Sequence, residues 1–411
     1  MRLYLTFAIL CCFYNEAYGK VSLDIDMKLK TLNKPALKTI KSEDGDIIDC
    51  VNIHKQHAFD HPALRNHKIQ MKPSVEFDTK KTNIPNNGSA KPITSQIWSK
   101  SGNCPIGTIP VRRVSREDIS RASSPSHFGR KTPRRYNFLD NALQHKANFN
   151  LTAEKLTEPR PNNRSEAIIV ALGFNYVGAQ SDINVWNPPR VQAGDYSSAQ
   201  IWLLGGLSDT FESIEAGWMV NPNVFGDSRT RLFAYWTRDA YTKTGCINLL
   251  CSGFVQTTTK FALGAAIDPV SSFHEQYYIS ISMFLDPNSG NWWLTCGDNV
   301  MGYWPGTLFS SLKHSATAVQ WGGEVYSPNV MKKPHTKTPM GSGAWAYDLL
   351  GYACFHTNIR IKDFSLQIKY PQHLSEYVDE YNCYSTKLYR ETYMSEPQFF
   401  FGGPGQNRFC P

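Results

Sequence analysis

Residues 166–411 predict an all-β fold, an antiparallel β-sandwich, preceded by a smaller mixed domain. Three observations carry that reading. Short runs rich in Ile, Val, Tyr, Phe and Trp alternate with Gly, Pro, Asn and Asp turns after Ser165. No long helical periodicity interrupts them. The charge also changes sign at that point. Residues 20–165 hold 26 Lys/Arg against 14 Asp/Glu, whereas residues 166–411 hold 16 against 20.

Each strand-like run follows from its residues. Ala167–Leu172, Ile183–Trp186, Ala199–Leu204 and Thr230–Thr237 are bounded by turn formers, as are Gly253–Leu263, Tyr277–Phe284 and Ala316–Val325. A chain of 411 residues exceeds what one core organises, so a second folded unit is expected. That unit occupies residues 20–114. Leu29, Leu32 and Leu37 suit a short helix. Asp44-Gly45 then turns the chain into Ile47-Ile48, a strand start.

The N-terminus is read as a signal peptide over residues 1–19. Arg2 precedes an apolar run from Leu3 to Tyr14, and Ala17 and Gly19 supply small residues before a cleavage point. The expected destination is extracellular, with the cell wall or vacuole as variants. No later stretch is long and apolar enough to be a membrane span. Eight cysteines follow the leader, an even number that reads as disulfides in an exported chain. Cys50 and Cys104 lie alone in the first half, so their bridge is the simplest pairing. Cys246 and Cys251 lack a second close pair or a neighbouring His, which argues against zinc. Sequons at Asn87, Asn150 and Asn163 mark expected glycosylation sites.

Residues 115–165 are polar and basic, with Arg130-Lys131 and Arg134-Arg135, and read as an exposed linker with a processing site. His61 and His67 are read as structural or surface histidines, and no metal or cofactor is expected. A basic segment can bind nucleic acid or acidic membranes. Joined to an acidic domain in an exported chain, it reads instead as a segment that docks on that domain and masks it, more weakly in acid.

Two carboxylates stand out. Glu215 lies in Ser213-Ile-Glu-Ala-Gly-Trp218 and Glu324 in Trp321-Gly-Gly-Glu-Val325. An ionised side chain is costly to bury in such apolar runs, so a carboxyl there is pushed toward its protonated form. Two facing carboxyls would share one proton, giving a base and an acid. Two edge glutamates capped by hydrogen bonds would read the same way in sequence.

The chain resembles the neprosin family of plant glutamic peptidases over nearly its whole length. The run from Asp44 to Ser74 and the block GNCPIGTIPVRR are similar to that family's activation peptide. INVWNP, SAQIWLLGG, SIEAGWMVNP, RLFAYWTRDAY, GCINLLCSGFVQ, GYWPGTLF, WGGEV and FFGGPGQNRFCP are similar to its catalytic half. The resemblance implies a secreted endopeptidase made as a zymogen, acting in acid on protein or peptide substrates, after proline. It implies Glu215 and Glu324 as the catalytic pair and the chain's own prosegment as inhibitor. It also implies Cys246–Cys251 as a short loop closure and Cys383–Cys410 as a tie at the C-terminus; Cys296 and Cys354 are left either paired or free. Gln200, Trp202, Tyr235, Gln256 and Trp304 sit in motif strands as candidates to line the substrate cleft, with core packing as the alternative.

Two other readings compete. Some glycosidases also use a carboxylate pair, and exposed aromatics on a sandwich suit a non-catalytic wall- or glycan-binding module. No G-x-S-x-G or H-E-x-x-H motif is present, and no glycine-rich phosphate loop, which disfavours serine, zinc and nucleotide chemistry.

Overall fold

The computed structural model describes residues 21–75, 90–136, 139, 163–390, 392 and 395–411. The expected signal peptide and the Asn87 and Asn150 sequons lie outside these residues. So do residues 137–138 and 140–162 of the stretch expected to hold the maturation point.

Two sheets stack to form the sandwich. The first has six strands, in spatial order Ser375–Val378, Arg164–Tyr176, Ala316–Tyr326, Tyr196–Gly205, Glu212–Val220 and Arg231–Thr237. The second has ten. Its central strands are Trp292–Cys296, Tyr277–Leu285, Gly178–Asn184, Cys354–Lys362 and Gln398–Gly402. Pairing between the described strands is antiparallel except where Lys91–Pro92 joins Tyr277–Leu285 in parallel.

Alternation of side chains gives the six-stranded sheet two different faces. Ile169, Ala199, Ile201, Leu203, Ile214, Trp218, Trp236 and Trp321 point into the sandwich, against Ile183, Ile281, Met283, Leu294 and Phe401 of the other sheet. Each Ile, Leu, Met or Phe among them contributes about 1.5–3 kcal/mol by leaving water. The other face carries Ile168, Trp202, Leu204, Phe233 and Tyr235. It is covered by Ile25, Leu32, Val114, Ile119, Phe128 and Tyr136 from the N-terminal third of the chain.

That N-terminal third has its own frame. A helix spans residues 21–32. Ala36–Lys41, Ile47–Asn52 and Thr108–Arg112 form a three-stranded antiparallel sheet tied by the Cys50–Cys104 disulfide. Cys246–Cys251 and Cys383–Cys410 are also bonded, while Cys296 and Cys354 are free and buried. The Cys383–Cys410 bond also accounts for the one candidate metal cluster among the described residues, His335 with those two cysteines.

Docking between the two units pairs basic residues of the first with acids of the second at Lys131 and Arg134, but it is not charge pairing alone. Much of it is amide chemistry. Gln56 donates to the Gln256 carbonyl at 3.1 Å and accepts its N–H at 2.8 Å, and Gln96 makes the same exchange with Ala262. One peripheral ion pair runs opposite to the net charges, with Asp46 of the basic half 2.6 Å from Arg231 of the acidic half. Neither partner can be judged from net charge, because both are buried and respond to their immediate neighbours.

The stretch expected to be an exposed linker is folded over residues 115–136. Ser115 and Asp118 form a capping box on the helix Arg116–Ser120, and Ile119, Phe128 and Lys131 are buried. Lys131 and Arg134 keep only 4% and 5% of their side-chain surface exposed. Their charges find carboxylates on the sheet, which composition cannot reveal.

Candidate active site

The site is built on the covered face of the six-stranded sheet. Registry alone brings its parts together. Glu215 lies directly across from Trp202 on one side and Tyr235 on the other. Glu324 lies across from Ser198 and Glu166. Gln200 lies between Gly217 and Gly322. Directly opposed residues share a face, so Glu166, Gln200, Glu215 and Glu324 all point the same way. The two glycines are needed for close strand approach. A Cβ on Gly217 would fall 2.0 Å from the Ala199 carbonyl oxygen, and one on Gly322, at φ +148°, 2.3 Å from that of Ala167.

Both expected glutamates are fully buried, and one ammonium bridges them. Lys131 Nζ lies 2.7 Å from Glu215 Oε2 and 2.8 Å from Glu324 Oε1. Its backbone N–H donates to Tyr235 Oη at 2.9 Å, and its ammonium stands over the rings of Tyr235, Tyr241 and Tyr196 at 5.4, 5.6 and 5.9 Å. Three aromatic faces and two carboxylates suit a desolvated cation.

Each glutamate has further donors. Glu215 accepts from Gln200 Nε2 at 2.9 Å, Tyr241 Oη at 2.6 Å and Ser213 Oγ at 3.3 Å. Glu324 accepts from Tyr196 Oη at 2.6 Å, with Arg164 and Arg134 guanidinium nitrogens each 3.8 Å from its second oxygen. Burial pushes the Glu324 carboxyl up, but Lys131, Arg164 and Arg134 outweigh it and hold it down to about 2. Burial pushes Glu166 up to about 8 against the pull of Arg134, and the Glu324 and Asp379 carboxylates add to the rise.

Of the five expected cleft residues, the structure gathers three. Gln200 and Trp202 flank Glu215 on its face, and Tyr235 holds the Lys131 backbone. Gln256 and Trp304 are not drawn into the site. Gln256 donates to Pro110 and Phe261 carbonyls as a strut under the N-terminal unit, and Trp304 packs its ring 4.8 Å from Phe254 in the core. Both belong to strands of the other sheet, so no register could aim them at the glutamates. His61 lies beside Trp236, and His67 contacts Tyr303 Oη at 2.7 Å, as structural histidines.

Residues that the sequence reading did not place in the site complete it: Lys131 and Arg134, read there as parts of dibasic pairs, and Arg164, Glu166, Tyr196, Tyr241 and Asp379. Tyr196, Arg164 and Glu166 carry a legible signal, since two-residue periodicity puts Tyr196 on the face of Gln200 and Arg164 on that of Glu166. Lys131 carries none.

A family model described as neprosin matches residues 193–404, and one described as neprosin activation peptide matches residues 39–154. Among solved structures, scytalido-glutamic peptidase with a peptide-based transition state analogue has a TM-score of 0.32 at 10% identity, covering 59% of this chain and 98% of that one. SCP-B, an eqolisin-family peptidase in complex with the tripeptide Ala-Ile-His, has 0.31 at 10%, covering 59% and 98%. The β-porphyranase BpGH16B of the human gut bacterium Bacteroides plebeius has 0.26 at 10%, covering 49% and 66%.

Proposed function

Because the chain belongs to the neprosin family of glutamic-type peptidases and carries that family's activation peptide, we propose that it is a secreted endopeptidase. In this reading it is made as a zymogen and cleaves beside proline in acid through Glu215 and Glu324. The observation that carries the reading is the single Lys131 ammonium held by both carboxylates. A site that binds one cation between two acids also suits two acids acting on one water and one carbonyl.

Removal of the prosegment takes away Lys131 and Arg134 and leaves Arg164 beside Glu324. Glu324 therefore keeps a cation and its negative charge, and it is assigned the base that deprotonates the attacking water. Glu215 loses its cation and is assigned the acid. It then donates to the carbonyl oxygen as negative charge develops there, and later helps to protonate the leaving nitrogen. Tyr196, Trp202, Tyr235 and Tyr241 surround the pair, and their flat faces suit a proline ring. The inhibitory role of the prosegment follows from the same contact, since no water can occupy the position of the Lys131 ammonium. Three disulfides support an oxidising, exported setting.

The test is incubation of the purified precursor in acid, followed by assay on a proline-containing peptide. Conversion to a smaller form with cleavage beside proline is expected. Hydrolysis of a polysaccharide without peptide cleavage would overturn the reading.

A further inference from the structure

The prosegment does more than cap the glutamates. Three residues beyond Lys131, the Arg134 side chain meets two further acids beside Glu324, whose Oε2 it also approaches to 3.8 Å. Its Nη1 lies 2.6 Å from Glu166 Oε1 and its Nη2 3.4 Å from Asp379 Oδ2. The guanidinium also stands over the Tyr136 ring, 4.6 Å from the centroid. The two acids are built into the sandwich domain. Glu166 is on the strand paired with that of Glu324, and Asp379 follows the strand Ser375–Val378 on the far side.

Asp379 is held in place without the arginine, whereas the Glu166 carboxylate also accepts from Tyr136 Oη at 2.8 Å. The backbone N–H of Glu166 donates to Asp379 Oδ2 at 2.8 Å, and Tyr377 Oη donates to Asp379 Oδ1 at 2.6 Å. Glu166 is fully buried and Asp379 nearly so, with 0% and 8% of their side-chain surfaces exposed. Such acids are retained at a cost unless a cation meets them. Release of the prosegment would leave them facing the cleft, one and two strands beyond Glu324.

We propose that Glu166 and Asp379 form a specificity subsite that accepts an arginine or lysine of the substrate, a few residues from the scissile bond. The proposal rests on the glutamic-peptidase reading, because it takes the path of residues 131–134 as the path of a bound chain. Arg134 then marks the subsite as Lys131 marks the reacting centre. The planar guanidinium fork suits two separated carboxyls better than an ammonium does, so arginine is preferred over lysine.

The experiment uses the matured enzyme and a set of peptides with one proline, in which Arg, Lys, Gln or Glu is placed at each position on both sides. Cleavage with Arg over Gln favoured at least tenfold in kcat/KM at one position is expected, with Glu the poorest there. In Glu166→Gln and Asp379→Asn that Arg/Gln ratio should fall toward one. Equal cleavage of all four at every position, or a ratio unmoved by both variants, would overturn the proposal while leaving the peptidase reading intact. If no peptide is cleaved, the peptidase reading fails, and a binding arm still decides the subsite. A labelled peptide of residues 128–136 should bind the matured domain at least tenfold more tightly than its Arg134→Gln form. Equal binding would overturn the proposal.

Discussion

The two faces of the six-stranded sheet are made by the same strands and differ in almost everything else. The inward face is Ala, Ile, Leu and Trp, closed over by the second sheet. The outward face mixes Trp and Tyr with Ser198, Gln200, Ser213, Glu215, Glu166 and Glu324, all buried. The first face needs only shape and volume to be satisfied. The second needs charge partners, and in the precursor it borrows them from residues 131–134. A face that is buried but not self-sufficient is one built to be uncovered.

The comparison can be broken at both faces. The largest effect belongs to the outward one: Glu215→Gln and Glu324→Gln should each lower peptide cleavage by about 10²–10⁴-fold. Their thermal unfolding should stay near that of the parent, and full activity in either variant would overturn the assignment. On the inward face, Trp218→Ala should cost about 3–5 kcal/mol of stability, read by denaturant unfolding of the matured domain. If it instead spared stability and abolished cleavage, the division between faces would be wrong.

Lys131→Met tests the borrowed charge. Removing the cation leaves the buried Glu215 carboxylate without its ion-pair partner, while Glu324 keeps Arg164 and Arg134, so a peptide of residues 128–136 should lose about 3–5 kcal/mol of affinity for the matured domain, measured as an inhibition constant. Unchanged inhibition would show that the apolar contacts alone mask the site.

The pH dependence sharpens the same point. Burial pushes Glu324 up, but Lys131, Arg164 and Arg134 hold it down to about 2 in the masked form, so the part of its contribution that depends on Lys131 and Arg134 is present at neutral pH and is lost as the pH falls toward about 2. Asp286 is also held down to about 2, where hydrogen bonds from Ser74 and Gln70 outweigh the upward push of burial, and its contribution fades in the same direction. The affinity of the separately made prosegment for the domain should therefore weaken steadily as acid is added across that window. A flat titration by fluorescence anisotropy would remove the electrostatic part of masking. The smallest effect is expected at the periphery. Asp46→Asn removes one partner of Arg231, which keeps Asp227 within salt-bridge distance. A loss of about 1–2 kcal/mol in prosegment binding is expected, and a loss as large as that of Lys131→Met would erase the distinction between anchor and mask.

By itself, the sequence determined the β-sandwich class, the mixed N-terminal unit and the Cys50–Cys104 pairing. It also singled out Glu215 and Glu324, because a carboxylate in a Gly- and Trp-containing strand is conspicuous wherever it lies. These signals are local: period-two alternation, turn residues and cysteine parity. The tertiary structure alone decided what those glutamates meet. Lys131 is 84 residues from Glu215 and reads as half of an ordinary basic pair, exposed in any model built from composition. Glu166 stands opposite Glu324 only through strand register, across 158 residues of chain. Gln256 and Trp304 share the motif context of Gln200 and Trp202, yet the second sheet carries them elsewhere. Charge complementarity acts over a few ångströms in a buried site, and sequence spacing holds no record of which residues the fold brings that close.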